Sequence, residues 1–259
     1  MQSRERLVPA IAFVILFTQA NPLRPAEDTE LANRINNSYY NLKRAGLIEF
    51  RCAVSPNWKL ALQNLVTDAA GEEILDLLEH THFAVAVGPD GSSTISRQID
   101  ATPSSEQVAA RLRTVLTGFE QALTGFFQVW SIYTFHPIVP VGNGNYTIEH
   151  TTDQYRVTQK SPQDETSSTF NKDLLLTEMS ATALGKSVTW HLDFARQSGV
   201  YLFSGYDTFY PVGANSVHSI VTVAYQEVQG FELPSTVRVM ANQLVIPFDF
   251  RNYEIKKRD

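Results

Sequence analysis

The first half of the chain mixes helical and strand-like spacing of apolar residues. The acidic start Asp28-Thr29-Glu30 predicts a helix, which Gly46 would end as a left-handed cap. Its apolar residues recur every three or four positions, at Leu31, Ile35, Tyr39 and Leu42. From Ile48 to Val54 apolar and polar residues alternate, which predicts a strand with one buried face. Cys52 belongs to the inward set, so we expect a small buried side chain and not a nucleophile.

Two further helices and a hairpin follow. Trp58 to Glu79 is predicted to be helical, with an interruption near Gly71. Phe83 to Val87 and Ser93 to Ile99 read as paired strands joined by a Pro-Asp-Gly turn. The most regular helix is predicted from Ser105 to Thr134. Its apolar stripe steps by three and four through Val108, Leu112, Val115, Phe119, Leu123, Phe126, Trp130 and Tyr133.

From Gly142 onward the pattern indicates strands only. Nine strand-like runs are predicted, at 146–149, 154–158, 167–171, 174–179, 187–194, 200–206, 218–226, 236–241 and 244–255. Alternation gives each run one buried and one wet face, which favours an antiparallel sheet. Nine successive strands without an intervening helix exclude a parallel nucleotide-binding fold. Gly205 to Asp207 and Tyr210 to Gly213 look like turns. The predicted class is α+β, with helices first and then a long meander, in one domain over residues 28–255.

The order basic, apolar, small at the N-terminus is typical of a secretory signal peptide. Arg4 and Arg6 precede an apolar run of 11 residues, and Thr18 and Ala20 supply small residues before a cut after position 20. We therefore expect a signal peptide over 1–20 and a flexible leader over 21–27. A lipid anchor needs Cys at the cut, so the expected product is periplasmic or secreted and not lipid-anchored.

Composition further narrows the possible classes of protein and of site. Charged residues make up 19% of the chain, beside 15 Phe, 10 Tyr and 3 Trp, which indicates a large core. The formal charge of −6 becomes −7 without residues 1–20, since two Arg and one Glu are lost. An acidic balance argues against nucleic acid as a partner. One Cys allows no intramolecular disulfide and no Cys-based zinc site.

Catalytic and metal-binding motifs are weak. The sequence has no His-Glu-x-x-His, Gly-x-Ser-x-Gly, Walker or Cys-x-x-Cys motif. His80 and His82, beside Glu79, would share one side of a strand, but no third ligand is evident. His191 and Asp193 fit a solvated strand face. We predict no catalytic residue, no metal, no cofactor and no enzymatic activity.

Two segments carry a family resemblance. Residues 31–54 join an amphipathic helix through Gly46 to a strand, and residues 225–253 contain Val-Gln-Gly-Phe-Glu-Leu-Pro between late strands. Together they resemble the periplasmic lipoprotein-carrier superfamily, the LolA-like and LolB-like proteins. The resemblance implies a strongly curved antiparallel sheet, an unclosed half-barrel, with helices packed in or over its concave face. It also implies an apolar cavity that accepts acyl chains.

We therefore expect an exported carrier that binds a lipid, an acyl chain or a lipoprotein, with peripheral membrane contact allowed. The expected cavity lining combines the helical stripe with inward strand residues: Phe83, Val85, Phe119, Leu123, Phe126, Trp130, Tyr133, Trp190, Phe194 and Phe203. The same rings could instead form an ordinary core. Two other functions stay open, namely an envelope sensor or scaffold that binds a protein partner, and an exported hydrolase with an unrecognised site.

Overall fold

One antiparallel sheet and four helices make up the described part of the chain. The computed structural model describes residues 26–63, 66–140, 146–161, 164–183, 186–212, 215–242 and 244–258. The helices are Ala26–Asn37 (α1), Trp58–Ala61 (α2), Ala69–Glu79 (α3) and Glu106–Phe135 (α4). The strands are Leu47–Pro56 (β1), Thr81–Val87 (β2), Ser93–Ile99 (β3), Tyr146–His150 (β4), Gln154–Lys160 (β5), Asp164–Asn171 (β6), Leu176–Ala183 (β7), Lys186–Gln197 (β8), Val200–Val212 (β9), Asn215–Val228 (β10), Phe231–Ala241 (β11) and Leu244–Lys257 (β12).

The sheet has the strand order β3-β2-β1-β12-β11-β10-β9-β8-β7-β6-β5-β4. It is not closed, because β3 and β4 each have a neighbour on one side only. The predicted α+β class, the unclosed antiparallel sheet and the order of helices before the meander are confirmed. The described residues fall into two compact units, unit 1 (46–131 and 224–258) and unit 2 (26–45 and 132–223).

Unit 1 contains the first hairpin, the last two strands and most of α4. β1 pairs with β2 on one side and with β12 on the other. The α4 stripe is buried along the unit except at Val115, which is half-buried, and its rings touch rings from β2 and β12. In this unit a helix therefore covers one face of the sheet, as predicted. Cys52, in β1, is buried as expected, and burial raises the pKa of its thiol to about 12.

Unit 2 contains α1 and the strands of the meander up to Val223. Strands β4 to β9 pair in sequence order, and the first half of β10 pairs with β9. The Asn36 side chain makes two hydrogen bonds with the backbone of Val139. Its Nδ2 donates to the Val139 carbonyl at 2.7 Å, and its Oδ1 accepts from the Val139 amide at 2.9 Å. This pair of bonds ties α1 to the segment that follows α4.

Helix α1 is shorter than predicted. It ends at Asn37, although the apolar spacing continues to Leu42, and Gly46 is not its cap. The Arg44 side chain folds back on this end and donates to the carbonyls of Asn36 and Tyr39. The Asn36 carbonyl lies in the last turn of α1 and also accepts from the Tyr39 amide at 3.4 Å. Arg44 therefore caps this end of α1 from outside the helix.

The break in the second helical region also differs from the prediction. Gly71 lies inside α3, and its amide donates to the Asp68 carboxylate at 2.7 Å. Asp68 is thus an N-cap, which starts a new helix at that point. The interruption lies between Ala61 and Ala69. Among the described helices, none has the length and apolarity needed to span a membrane.

Candidate functional site

Six of the ten predicted lining residues lie in unit 1, and all six are buried. They are Phe83, Val85, Phe119, Leu123, Phe126 and Trp130. Phe119 is the centre of this group, with ring centroids 4.7 Å from Phe83, 5.0 Å from Trp58 and 5.4 Å from Phe248. All three contacts are edge-on, which is the favoured geometry for packed aromatic rings. In unit 1 these side chains fill a core with one another.

The other four predicted residues lie in unit 2. Tyr133, near the C-terminus of α4, stacks on Phe203 with centroids 5.0 Å apart and planes 14° apart. Phe194 meets Tyr133 edge-on at 5.9 Å and lies opposite Phe203 across the β8–β9 ladder. Trp190 lies further along β8, half-buried, on the same face as Phe194. The sequence therefore identified one end of a face that continues beyond these rings.

The Tyr133 hydroxyl connects these rings to the rest of that face. It is buried, and it donates to the thioether of Met179 at 3.3 Å. A thioether is a weak acceptor, so this hydroxyl lacks a strong partner in the contacts described. Burial is the main cause that raises the pKa of Tyr133 far above its ordinary value, so the ring is neutral.

The face continues over β7, β8, β9 and β10 within unit 2. Met179 lies opposite Trp190, and Trp190 lies opposite Thr208. Because side chains two apart along a strand share a face, Val188 and Tyr210 belong to the same side. Six half-buried residues define what we call the tyrosine face: Met179, Val188, Trp190, Tyr206, Tyr210 and Val217.

The tyrosine face carries no ionised side chain at neutral pH. Burial raises the pKa of Tyr206 to about 12, with smaller contributions from Tyr210 and from a hydrogen bond to Ser219 that opposes the rise. Burial also raises the pKa of Tyr210. Both hydroxyls are therefore protonated and can donate a hydrogen bond. The face combines apolar area with a few neutral donors, which is typical of small-molecule sites.

The prediction of turns at Gly205 to Asp207 and from Tyr210 onward is wrong. Tyr206 and Tyr210 lie in β9, which runs without interruption from Val200 to Val212. Gly205 belongs to the strand because its α-carbon lies against the Val221 carbonyl, where an added Cβ would come within 2.1 Å of the oxygen. The alternation of Tyr206, Thr208 and Tyr210 was the signal that could have placed both rings on one face.

The opposite side of the same strands carries the histidines. His218 Nε2 lies 2.8 Å from an Asp207 carboxylate oxygen, and its ring stacks on Phe209 at 4.2 Å. His191 lies 3.8 Å from Glu178. His191 and Asp193 are both exposed, which confirms the expected solvated face.

The His80 and His82 pair does not assemble into a ligand set. His80 follows α3, and its Nδ1 lies 2.8 Å from the Asp76 carbonyl, whereas His82 Nε2 contacts Asp100 at 3.1 Å. Only His82 lies on the strand. In the part of the chain that the structure describes, no group of three or more His, Cys, Asp or Glu side chains could hold a metal ion.

Comparison of the sequence with models of known protein families and with curated proteins finds no match. The resemblance to the lipoprotein carriers therefore remains a prediction from two segments of sequence.

Proposed function

We propose that this protein is an exported carrier that binds the acyl chain of a lipid on the tyrosine face. The observation that supports the proposal is the half-burial of Met179, Trp190 and Tyr210 on a face that is apolar and uncharged. A face fully filled by protein, like the one under α4 in unit 1, would bury these side chains. An acyl chain lying across the strands would complete their burial.

The energetics favour a chain-like ligand. Each buried methylene contributes about 0.8 kcal/mol, so about eight methylenes contribute roughly 6 kcal/mol before the cost of association. The hydroxyls of Tyr206 and Tyr210 are neutral donors, and they suit an ester or carboxyl oxygen near one end of the chain. Since about 6 kcal/mol corresponds to a dissociation constant of about 40 μM, we expect a free fatty acid to bind in the range of tens of micromolar or more weakly.

Export is the second part of the proposal. It rests on the basic, apolar and small residues of 1–20, which lie outside the described residues. If the proposed cut after Ala20 is used, the intact mass of protein recovered outside the cytoplasm would match a chain that begins at Asn21.

A fluorescent fatty acid tests binding. Titration of cis-parinaric acid into the purified protein should give saturable fluorescence that palmitate displaces. Trp190→Ala removes the largest ring of the face and should weaken binding about tenfold, the loss of roughly 1.4 kcal/mol of contact.

Phe209 offers a matched control. It neighbours Tyr210 in sequence but points to the opposite side of β9, where it is 61% exposed. Phe209→Ala should leave the affinity for cis-parinaric acid unchanged within about twofold. Equal losses in the Trp190 and Phe209 variants, or no saturable signal in the wild type, would contradict the proposal and favour the protein-partner alternative.

A further inference from the structure

The edge strand β3 has one of the features that usually protect a sheet edge, the charged side chain of Arg97, and lacks the others. Its sequence, Ser-Thr-Ile-Ser-Arg-Gln-Ile, contains no Pro and no Lys, and its register with β2 runs through seven pairs without a bulge. Five of its side chains are exposed, at Thr94, Ser96, Arg97, Gln98 and Ile99. Proteins normally block such an edge, because its unpaired backbone groups recruit another strand.

The hydrogen bonds at the two ends of the hairpin show which backbone groups point outward. The Gly88 amide donates to the Ser92 carbonyl at 2.8 Å, and the Asp100 amide donates to the His80 carbonyl at 3.1 Å. Antiparallel ladders alternate between bonded and non-bonded pairs, so the even-numbered residues of β3 bond to β2. The amides and carbonyls of the odd-numbered residues, from Ser93 to Ile99, therefore point away from the sheet.

We propose that β3 is a self-association surface, on which the β3 strand of a second copy pairs antiparallel across a two-fold axis at Ser96. This register places the Ile95 of one copy opposite the Arg97 of the other, and Ser93 opposite Ile99. All of these are odd-numbered, so their free backbone groups meet in about eight hydrogen bonds. The inference is independent of the proposed lipid site.

Side-chain chemistry selects this axis over its neighbours. At Ser96 two small hydroxyls face each other, and Thr94 lies opposite Gln98. An axis at Arg97 would bring two Arg97–Glu120 pairs against each other and would place Ser93 opposite Ala101, which lies beyond the end of β3. An axis at Ile95 would bring Gly91, which lies in the turn with φ of +82°, opposite Ile99 and leave the end of β3 unpaired.

The arginine in this register is already neutralised. Arg97 Nη1 lies 2.9 Å from Glu120 of α4 within the same unit, with both side chains about one-third exposed. Its charge therefore does not oppose the approach of a second strand. The contact area of one strand pair is small, so the dimer should be weak and should dissociate on dilution.

Sedimentation velocity of the full chain, from about 1 μM to about 1 mM, should show a reversible monomer–dimer equilibrium. Ser96→Lys places two ammonium groups face to face and should weaken dimerisation about fivefold or more, as should Ser96→Glu. An equimolar mixture of the two variants should restore dimers. The same pair of replacements at Thr222, an exposed position in the central strand β10, should have no effect.

A thiol at the axis gives an independent measurement of the register. In Ser96→Cys the two sulfur atoms would lie within disulfide range across the axis, whereas in Gln98→Cys they would be four residues out of register. Oxidation should therefore cross-link the Ser96 variant and not the Gln98 variant, with wild type as a baseline because Cys52 is buried.

A wild type that stays monomeric at the highest concentration would overturn the proposal. So would equal cross-linking of the two cysteine variants. Species larger than a dimer would point instead to head-to-tail pairing of β3 with the other free edge, β4, and would also overturn it.

Discussion

Replacing Tyr39 with phenylalanine removes one hydroxyl that links the segment after α1 to the start of β7. Tyr39 is 1% exposed, and its hydroxyl accepts from the Leu176 amide at 2.5 Å and donates to the Leu174 carbonyl at 2.9 Å. Leu174 has a φ of +65°, which is rare for a branched side chain and needs support from its surroundings. The Tyr39 hydroxyl supplies part of that support, beside the bond from the Leu174 amide to the Asn171 carbonyl at 3.0 Å.

The magnitude follows from the groups left behind. The replacement would leave one buried amide and one buried carbonyl without their partner, and each such group costs about 1–3 kcal/mol. The ring contact with Phe194, at 5.0 Å and 81°, stays in place. We therefore expect Tyr39→Phe to lower the free energy of unfolding by about 2–6 kcal/mol.

Tyr201→Phe is the matched control. The Tyr201 hydroxyl donates to the carbonyl of Asp173 at 3.0 Å in an exposed bond, where water can replace it. Urea unfolding followed by tryptophan fluorescence and by far-UV circular dichroism measures both variants, with coincident transitions required. A Tyr39→Phe loss below about 1 kcal/mol, or no larger than that of Tyr201→Phe, would refute the reasoning.

Three further outcomes are expected. Phe119→Ala removes a ring that touches three others and should cost about 3–5 kcal/mol in urea unfolding, while a loss below about 1.5 kcal/mol would contradict a packed core. Gly205→Ala places a Cβ against the Val221 carbonyl and should prevent folding or shift the thermal midpoint down by more than about 10 °C, about 3 kcal/mol or more, whereas a wild-type midpoint would show that the strands can move apart to admit the Cβ. Hydrogen bonds from the Ser104 hydroxyl and amide hold the pKa of Glu73 below its ordinary 4.5, so its stabilising effect is complete above that value and is lost as pH falls through the lowered pKa. Glu73→Gln should accordingly lose less stability than wild type between about pH 5 and pH 3, and parallel curves would contradict this.

Local periodicity was sufficient to predict the elements that obey it. The stripe from Val108 to Tyr133 needs only a 3.6-residue period, and α4 runs over Glu106–Phe135 as the period predicts. The β2–β3 hairpin follows from alternation on both sides of Pro89-Asp90-Gly91. In both cases the information lies within about thirty neighbouring residues, which one sequence contains.

The features that could not be predicted from the sequence depend on contacts with residues that are distant along the chain. Arg44 caps α1 by donating to the Asn36 carbonyl from outside the helix, and no spacing in α1 indicates this contact. Gly205 and Pro211 read as turn residues, yet ladders with β8 and β10 hold both in one strand. The candidate site has the same origin, because the register between β7 and β8 decides that Met179 faces Trp190.

The low charged fraction has a second cause besides the aromatic core. On the side of unit 2 opposite the tyrosine face, Thr147, Thr158, Ser167, Ser180 and Thr189 lie opposite one another in turn across five strands. These hydroxyls share the side with the charged residues Glu178 and Asp207 and reduce the number of charges that it needs, and Thr suits a strand better than Lys or Glu. Low charge with many aromatics therefore does not by itself require that both sides of the sheet be buried. In this unit the two sides differ in polarity, and the proposed acyl chain would lie on the less polar one, where burial of its methylenes is favourable.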